Sequence, residues 1–247
     1  MTADECETPT SRRGLVLETW FVQAAFLASG VLAAIDALAS HLGGAGSLKR
    51  VPVIVAGNQV ANLVVATITY VQVAAVVPLA LLLLSRTGQS PAVLGLTNPR
   101  WQIDLRAAIG IAAAGFVTAV AMAVVLTPVI RTDKSLFVTP DVGHLPGYYV
   151  LYGIAASATT AIAEETLVNG YLLVRLEQLG WNPRRALVLS LALRTSYHVY
   201  YGLGFLLTIP FGYFATRSFQ KNRRLIRPIV AHFLYDAVLF TLAVLAS

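Results

Sequence analysis

Long apolar stretches alternate with short polar connections along most of the chain. A helix needs about 20 mostly apolar residues to cross a bilayer, and the stretches have about that length. The pattern therefore predicts an all-α fold, a polytopic transmembrane helical bundle of about seven spans, with six or eight also compatible. The predicted spans are 15–40, 59–84, 107–130, 148–179, 185–201, a short sixth that contains Pro210 and Gly212, and 228–245.

The polar connections define the domain organisation and some of the helix ends. Residues 1–14 form a polar tail, and 15–247 are predicted to form a single transmembrane helical domain. Residues 37–40 resemble a signal cleavage site, but the first apolar stretch exceeds the core of about 7–15 residues that a secretory signal has. We therefore expect it to be retained as the first span. Gly180 should end the fourth span, and Asn182 with Pro183 should begin the next helix.

Composition supports a membrane location. The 247 residues are 57% apolar and 12% charged, whereas soluble domains carry about 25% charged residues. The single cysteine, Cys6, excludes a disulfide framework and a cysteine-based metal site. No Ser-His-Asp arrangement, phosphate-binding glycine loop or His-Glu-x-x-His motif is apparent. We expect an integral membrane protein of the plasma membrane.

The positive charges give the orientation of the predicted bundle. With a cytoplasmic N-terminus, thirteen of the 18 Lys and Arg residues lie in cytoplasmic segments and four lie outside, while Arg194 lies within a span. This bias fits the positive-inside rule. We interpret the basic run 217–227 as a topology anchor, with an acidic-lipid site as the minor alternative. The net charge of +6 thus reflects topology, and no nucleic-acid partner is expected.

Ionisable side chains deep within the later predicted spans indicate a functional site. Placing an ionised side chain at the bilayer centre costs on the order of 3 kcal/mol, and such residues usually serve function. Residues four apart share a helix face, and a rise of 1.5 Å per residue puts these groups at compatible depths on the cytoplasmic side. The groups are Glu164 and Glu165 with Asn169, Arg194 with His198, and His232 with Asp236.

The alternative is that each of these groups forms a separate polar contact between helices. The coincidence of two carboxylates and two imidazoles favours one shared site. By contrast, His41 and His144 fall in predicted loops, while Glu18 and Asp36 lie near span ends. We interpret these four as solvated or interfacial residues.

The three motifs resemble those of the CAAX-protease and bacteriocin-processing family of intramembrane proteases. That family shows Glu-Glu-x-x-x-Arg, then Phe-x-x-x-His, then His-x-x-x-Asn or Asp, and the resemblance extends over residues 155–238. Two positions depart from the pattern, because Asn169 replaces the usual Arg and Arg194 replaces the usual Phe. A guanidinium in hydrocarbon needs a partner, so we expect Arg194 to contact Glu165 or Asn169.

The resemblance implies an intramembrane endopeptidase with a glutamate-activated water. In that interpretation Glu164 is the base and His198 helps to hold the water. His232 and Asp236 lie on the side of the developing oxyanion, and Glu165 organises the site through Asn169 or Arg194.

The resemblance leaves a metal open. His198, His232 and one carboxylate, with Glu164 the candidate, would satisfy a three-ligand catalytic zinc site. Both a glutamate-type and a metal-dependent hydrolase are therefore compatible with the motifs, and zinc is the possible cofactor.

Two other classes of function remain open from the sequence. Intramembrane carboxylates and imidazoles also form proton relays in transporters, although the internal repeat that many transporters show is not apparent here. A catalytically silent scaffold is compatible with the loss of the usual Arg at position 169. The partners expected are the lipid bilayer and a membrane-associated protein or peptide substrate, and the sequence leaves the oligomeric state open.

Overall fold

The computed structural model describes residues 11–42, 59–96, 98–132, 147 and 149–246. These residues form helices and short connections without a β-strand, so the predicted all-α fold is confirmed. The α-helices are α1 (Arg12–Leu42), α2 (Gln59–Arg86), α3 (Trp101–Thr132), α4 (Tyr149–Glu164), α5 (Leu172–Gln178), α6 (Pro183–Ser196), α7 (Ile209–Asn222) and α8 (Ile226–Ala246). A π-helical segment, Glu165–Tyr171, joins α4 to α5, and short 3₁₀ turns occupy Pro91–Leu94, Val199–Tyr201 and Leu203–Thr208.

Each predicted span corresponds to one helix of the described part. Since α4, the π segment and α5 are continuous, they form the single long helix predicted for 148–179. The tail up to residue 10 and the connections 43–58 and 133–146 lie outside the described residues, as do Cys6, His144 and the side chains of Asp36 and His41.

The ends of α5 and α6 follow the local sequence. Gly180 has a φ of +77° after α5, and the Asn182 side chain accepts a 2.8 Å hydrogen bond from the Arg184 backbone N–H at the start of α6. The prediction that the fifth helix reaches residue 201 is wrong, because α6 ends at Ser196 and a 3₁₀ turn follows.

Two helices of the described part are long and apolar enough to cross a membrane, Trp101–Val129 and Ile226–Leu245. Residues Ala75–Arg86 form a shorter apolar stretch. Helices α6 and α7 have 14 residues each, or about 21 Å, which is less than the bilayer core of about 30 Å. With α4, the π segment and α5 counted as one helix, the described residues form seven helices. Seven membrane crossings stay a prediction.

The π segment lies at the centre of the helical packing. All seven of its residues are buried, and its apolar side chains pack with residues of α1, α2, α7 and the turn before α8. A second cluster joins α3, α7 and α8 around Phe211 and Ala215. The two carboxylates at the start of the π segment are thus held within the most closely packed part of the described chain.

Candidate functional site

The π segment sets the geometry of the carboxylate pair. π-Helices make up well under 1% of residues and occur frequently at functional sites. Here the Leu167 carbonyl accepts from the Leu172 N–H five residues on and from Gln23 Nε2 of α1 at 3.0 Å. The Val168 carbonyl accepts from Ser190 Oγ of α6 at 3.4 Å. Side chains of two other helices therefore hold the altered backbone in place.

Glu165 is fully buried and accepts hydrogen bonds from three directions. Its Oε1 accepts from Arg194 Nη2 at 2.7 Å and contacts His232 Nδ1 at 2.8 Å. Its Oε2 accepts from Asn169 Nδ2 at 2.5 Å. A carboxylate with this many donors can remain buried and charged, but its oxygens are occupied by protein groups.

Asn169 links Glu165 to two further helices through hydrogen bonds. Its Oδ1 accepts from Thr216 Oγ1 of α7 at 2.7 Å and from Ser190 Oγ of α6 at 3.2 Å. Asn169, Ser190 and Thr216 are all completely buried or nearly so. Both ends of the amide are used, so the position of Glu165 is tied to α6 and α7.

Arg194 contacts both carboxylates from the neighbouring helix. Besides its contact with Glu165, its Nη1 lies 3.4 Å from Glu164 Oε2. The side chain passes directly over Gly212, where an added Cβ would lie 2.8 Å from the Arg194 Cδ. The guanidinium also lies 5.9 Å from the centre of the Phe211 ring. The expected contact between Arg194 and Glu165 is confirmed.

Glu164 has a different environment from that of its neighbour. Its Oε2 accepts from Tyr197 Oη at 2.5 Å and lies farther, at 3.4 Å, from Arg194. Within the described residues, no donor contacts its Oε1. Glu164 also lines a cavity of about 200 Å³, whereas Glu165 does not. The structure therefore distinguishes two carboxylates that the sequence presents as adjacent equals.

The cavity collects most of the predicted site residues. It lies between the end of α4, the end of α6, the start of α7, and α8. Tyr201, Phe211 and Tyr235 add aromatic walls, and the turn at Gly204–Thr208 closes another side. The predicted residues that line it are Glu164, Arg194, His198, His232 and Asp236, while Glu165 and Asn169 lie behind them.

His198 follows the end of α6, with its ring in a fixed orientation. Its Nδ1 donates to the Arg194 carbonyl at 2.8 Å, so a neutral ring carries its lone pair on Nε2. The ring stacks against Tyr201 at 5.9 Å between centroids and lies 4.6 Å from the Tyr197 ring. These contacts fix the ring of His198 beside the cavity.

His232 lies between two carboxylates. Nδ1 contacts Glu165 and Nε2 lies 3.2 Å from Asp236 Oδ2, so the predicted pair one turn apart is confirmed. The His232 ring is buried, whereas about a third of the Asp236 side chain is exposed. The Phe211 ring packs beside His232 with 5.1 Å between centroids.

The expected zinc site finds no support in this geometry. Among the described residues, no group of three His, Cys, Asp or Glu side chains is arranged to hold a metal ion. His232 contacts carboxylates through both nitrogens. The candidate ligands therefore do not fit a three-ligand zinc site.

Three site residues were missed by the sequence interpretation. Tyr197 is adjacent to His198, and Ser190 lies one turn before Arg194, so the rule of four-residue spacing would have found Ser190. Thr216 carries no comparable sequence signal.

Glu18, which was interpreted as solvated or interfacial, is partly buried and has an ion-pair partner that the sequence did not reveal. Glu18 pairs with the fully buried Arg175 and accepts from Tyr171 Oη at 2.8 Å, with 20% of its side chain exposed. Arg175, which had been counted among the cytoplasmic positive charges, supplies the partner that draws Glu18 inward.

Comparison with known families agrees with this geometry. Residues 146–238 match the family of the Type II CAAX prenyl endopeptidase Rce1-like proteins. These residues form an Rce1-like domain. The resemblance to the CAAX-protease and bacteriocin-processing family is thereby confirmed. No curated protein and no solved structure gave a match to the chain.

The Rce1-like domain contains every predicted site residue and covers less than half of the chain. It begins just before α4 and ends within α8, so α1 to α3 lie outside it. The family supports a membrane-embedded CAAX-type endopeptidase with a membrane-associated substrate.

Proposed function

We propose that the protein is an intramembrane endopeptidase in which Glu164 activates the water that hydrolyses a peptide bond. The observation that carries this proposal is the contrast within the carboxylate pair. Glu165 has both oxygens bonded to protein groups, whereas Glu164 lines the cavity and has an oxygen without a donor among the described residues. A general base must be within reach of the water from which it takes a proton, and of the two carboxylates Glu164 is the one that lines the cavity.

His198 is proposed to hold the attacking water together with Glu164. Glu164 Oε1 accepts a hydrogen bond from the water, and the imidazole of His198, which lines the same cavity, contacts the water from another side. As oxygen attacks the scissile carbonyl, Glu164 takes a proton, and it returns that proton to the leaving amine when the C–N bond breaks. The stacking of His198 on Tyr201 keeps the ring in place during both steps.

His232 is proposed to stabilise the developing oxyanion. Its Nδ1 is anchored on Glu165, and its Nε2–H, which lies 3.2 Å from Asp236 Oδ2, is shared between Asp236 and the oxyanion when substrate is bound. A donor fixed beforehand costs no reorganisation in the transition state, and one such donor typically contributes about 10²–10³-fold to the rate. Asp236 orients the ring from its exposed side. We assign Glu165, Asn169 and Arg194 to the support of this ring and of Glu164.

A cleavage assay in lipid tests the proposal. The purified full chain in proteoliposomes is given two fluorogenic peptides, one anchored by a prenyl group and one by an acyl chain. The parental protein should cleave at least one of them. Glu164→Gln should lose activity by about a hundredfold or more, because the amide cannot accept the proton, and its thermal unfolding should remain close to parental.

Glu177→Gln is the matched control, since Glu177 is a half-exposed glutamate paired with Arg223 away from the cavity. It should keep the parental rate. Parental cleavage by Glu164→Gln would refute the assignment of the base. Failure of the parental protein to cleave either anchored peptide would count against the endopeptidase and in favour of a transporter or scaffold.

A further inference from the structure

A second groove lies outside the catalytic cavity, between α3 and α7. Its volume is about 320 Å³, within the range of about 300–1,000 Å³ that ligand sites occupy. Gly110 and Ala114 of α3 form its floor, and Phe214 of α7 forms a wall. Arg217 and Lys221 stand one turn apart on α7 at its polar end. None of these residues takes part in the proposed hydrolysis.

The groove exists because α3 and α7 diverge from a point of close contact. At Gly115 an added Cβ would lie only 3.0 Å from the Phe211 backbone. One and a half turns earlier in α3, an added Cβ at Gly110 would meet no heavy atom within 4 Å. The opening at Gly110 is therefore real space, bounded at its inner end by the contact of Gly115 with Phe211.

Ion pairs join the first turn of α3 to the residues at the start of α8. Asp104, in the first turn of α3, accepts from Arg224 and, at 2.9 Å, from Arg227. The hydrogen bond to Asp104 raises the pKa of Arg224, which lies between α7 and α8. Arg223 pairs with Glu177. These three cations are thus matched by carboxylates.

Arg217 and Lys221 differ from those three cations. Both are exposed, and neither forms an ion pair with any described residue. The hydrogen bond recorded for the Arg217 guanidinium goes to the neutral side chain of Gln220 at 3.1 Å. Ser218, on the same face of α7, adds a hydroxyl to the lining. Two cations and a hydroxyl that line the same groove can bind a phosphate group through ion pairs and hydrogen bonds.

We propose that this groove binds one anionic phospholipid. Its phosphate lies between Arg217 and Lys221, and one acyl chain runs along Gly110 and Ala114 beneath Phe214. The floor belongs to the apolar helix Trp101–Val129. Arg217 and Lys221 of α7 lie beside the N-terminal half of that helix. Basic pockets between transmembrane helices bind anionic lipid head groups in this way. The proposal does not rest on the proteolytic activity.

Native mass spectrometry of the full chain in nanodiscs tests the proposal. With equal amounts of phosphatidylglycerol and phosphatidylcholine, the parental protein should retain phosphatidylglycerol selectively. Arg217→Gln with Lys221→Gln should lower that selectivity by about fivefold for each cation removed. Gly110→Leu should lower total lipid retention, because its side chain would fill the groove without a clash.

Matched controls separate the groove from general surface properties. Arg184→Gln with Arg185→Gln removes two exposed cations at the start of α6, and Val117→Leu enlarges an exposed apolar side chain of α3. Both should retain lipid as the parental protein does. Equal selectivity in the Arg217/Lys221 variant, or an equal loss in the Arg184/Arg185 control, would overturn the proposal. If the parental protein forms a dimer that Gly110→Leu abolishes, the groove binds a second copy of the chain and the lipid proposal is overturned. If Gly110→Leu loses peptide cleavage while its lipid retention is unchanged, the groove binds substrate and the lipid proposal is again overturned.

Discussion

Two buried arginines in this protein have similar partners and different surroundings. Arg175 and Arg194 are both almost inaccessible to solvent, each pairs with a glutamate, and each has an Nε without a partner among the described residues. Arg175 joins α5 to α1 through Glu18 and to α2 through the Leu83 carbonyl, at 2.8 Å. Arg194 joins α6 to the π segment.

The difference lies in what surrounds each ion pair. Around Arg175 the remaining contacts are hydrogen bonds to Thr87 at 2.6 Å and Gln178 at 2.8 Å, and the aromatic ring of Tyr171. Around Arg194 a second carboxylate, Glu164, lies at the edge of a cavity. A buried ion pair is therefore insufficient as a sign of catalysis. The surroundings of Arg194 differ from those of Arg175 because a carboxylate oxygen of Glu164 has no donor among the described residues and Glu164 lines a cavity.

Replacing each arginine by leucine should give the largest contrast. Removing one partner of a buried ion pair costs about 3–5 kcal/mol of stability, and Arg194→Leu should lose stability of that order because both of its glutamates are buried. Arg175→Leu should lose less, since Glu18 is partly exposed. Thermal unfolding in one detergent measures both effects.

Activity should separate the two arginine variants further. At a temperature where both remain folded, Arg194→Leu should be at least about a hundredfold slower in cleavage, because His232 and Glu164 lose their support. Arg175→Leu should keep kcat close to parental. If Arg175→Leu were as inactive as Arg194→Leu while folded, the distinction between a structural and a catalytic ion pair would be wrong.

Tyr197→Phe should have an intermediate effect. The change removes the 2.5 Å hydrogen bond to Glu164 and keeps the ring that packs on His198 and, at 6.0 Å, on Phe26. We expect about a tenfold lower kcat, in line with a lost hydrogen bond to a charged group worth about 1.5–3 kcal/mol. Tyr171→Phe, which removes a hydroxyl that donates to Glu18, is the control and should leave kcat unchanged. Equal kcat values for the two variants would contradict the proposed role of Tyr197.

Removal of metal ions should have the smallest effect. Both nitrogens of His232 contact carboxylates, and no described group of three side chains fits a metal. Cleavage measured after exhaustive treatment with a chelator should therefore stay at the parental rate. Loss of activity that is restored by added Zn²⁺, with one equivalent bound to the purified protein, would show that the site rearranges around a metal.

The sequence by itself determined the all-α class and the residues proposed for the site, apart from Tyr197, Ser190 and Thr216. An ionisable residue in an apolar stretch is visible without any structure, because its cost in a membrane does not depend on which helix is its neighbour. The pairs Glu165 with Asn169 and His232 with Asp236 follow from helical spacing alone, and the structure confirms both. The predicted contact of Arg194 with Glu165 or Asn169 followed from the need of buried charges for partners.

Only the tertiary structure decided which glutamate has an unused acceptor. Glu164 and Glu165 are adjacent in sequence, and Arg194 of α6 contacts both of them. Their difference arises because His232 of α8 contacts Glu165 and not Glu164, whereas Tyr197 contacts Glu164. The π segment depends in the same way on Gln23 and Ser190, which are far away in sequence. The inward position of Glu18 depends on Arg175. These features are set by contacts between helices, which local spacing does not encode.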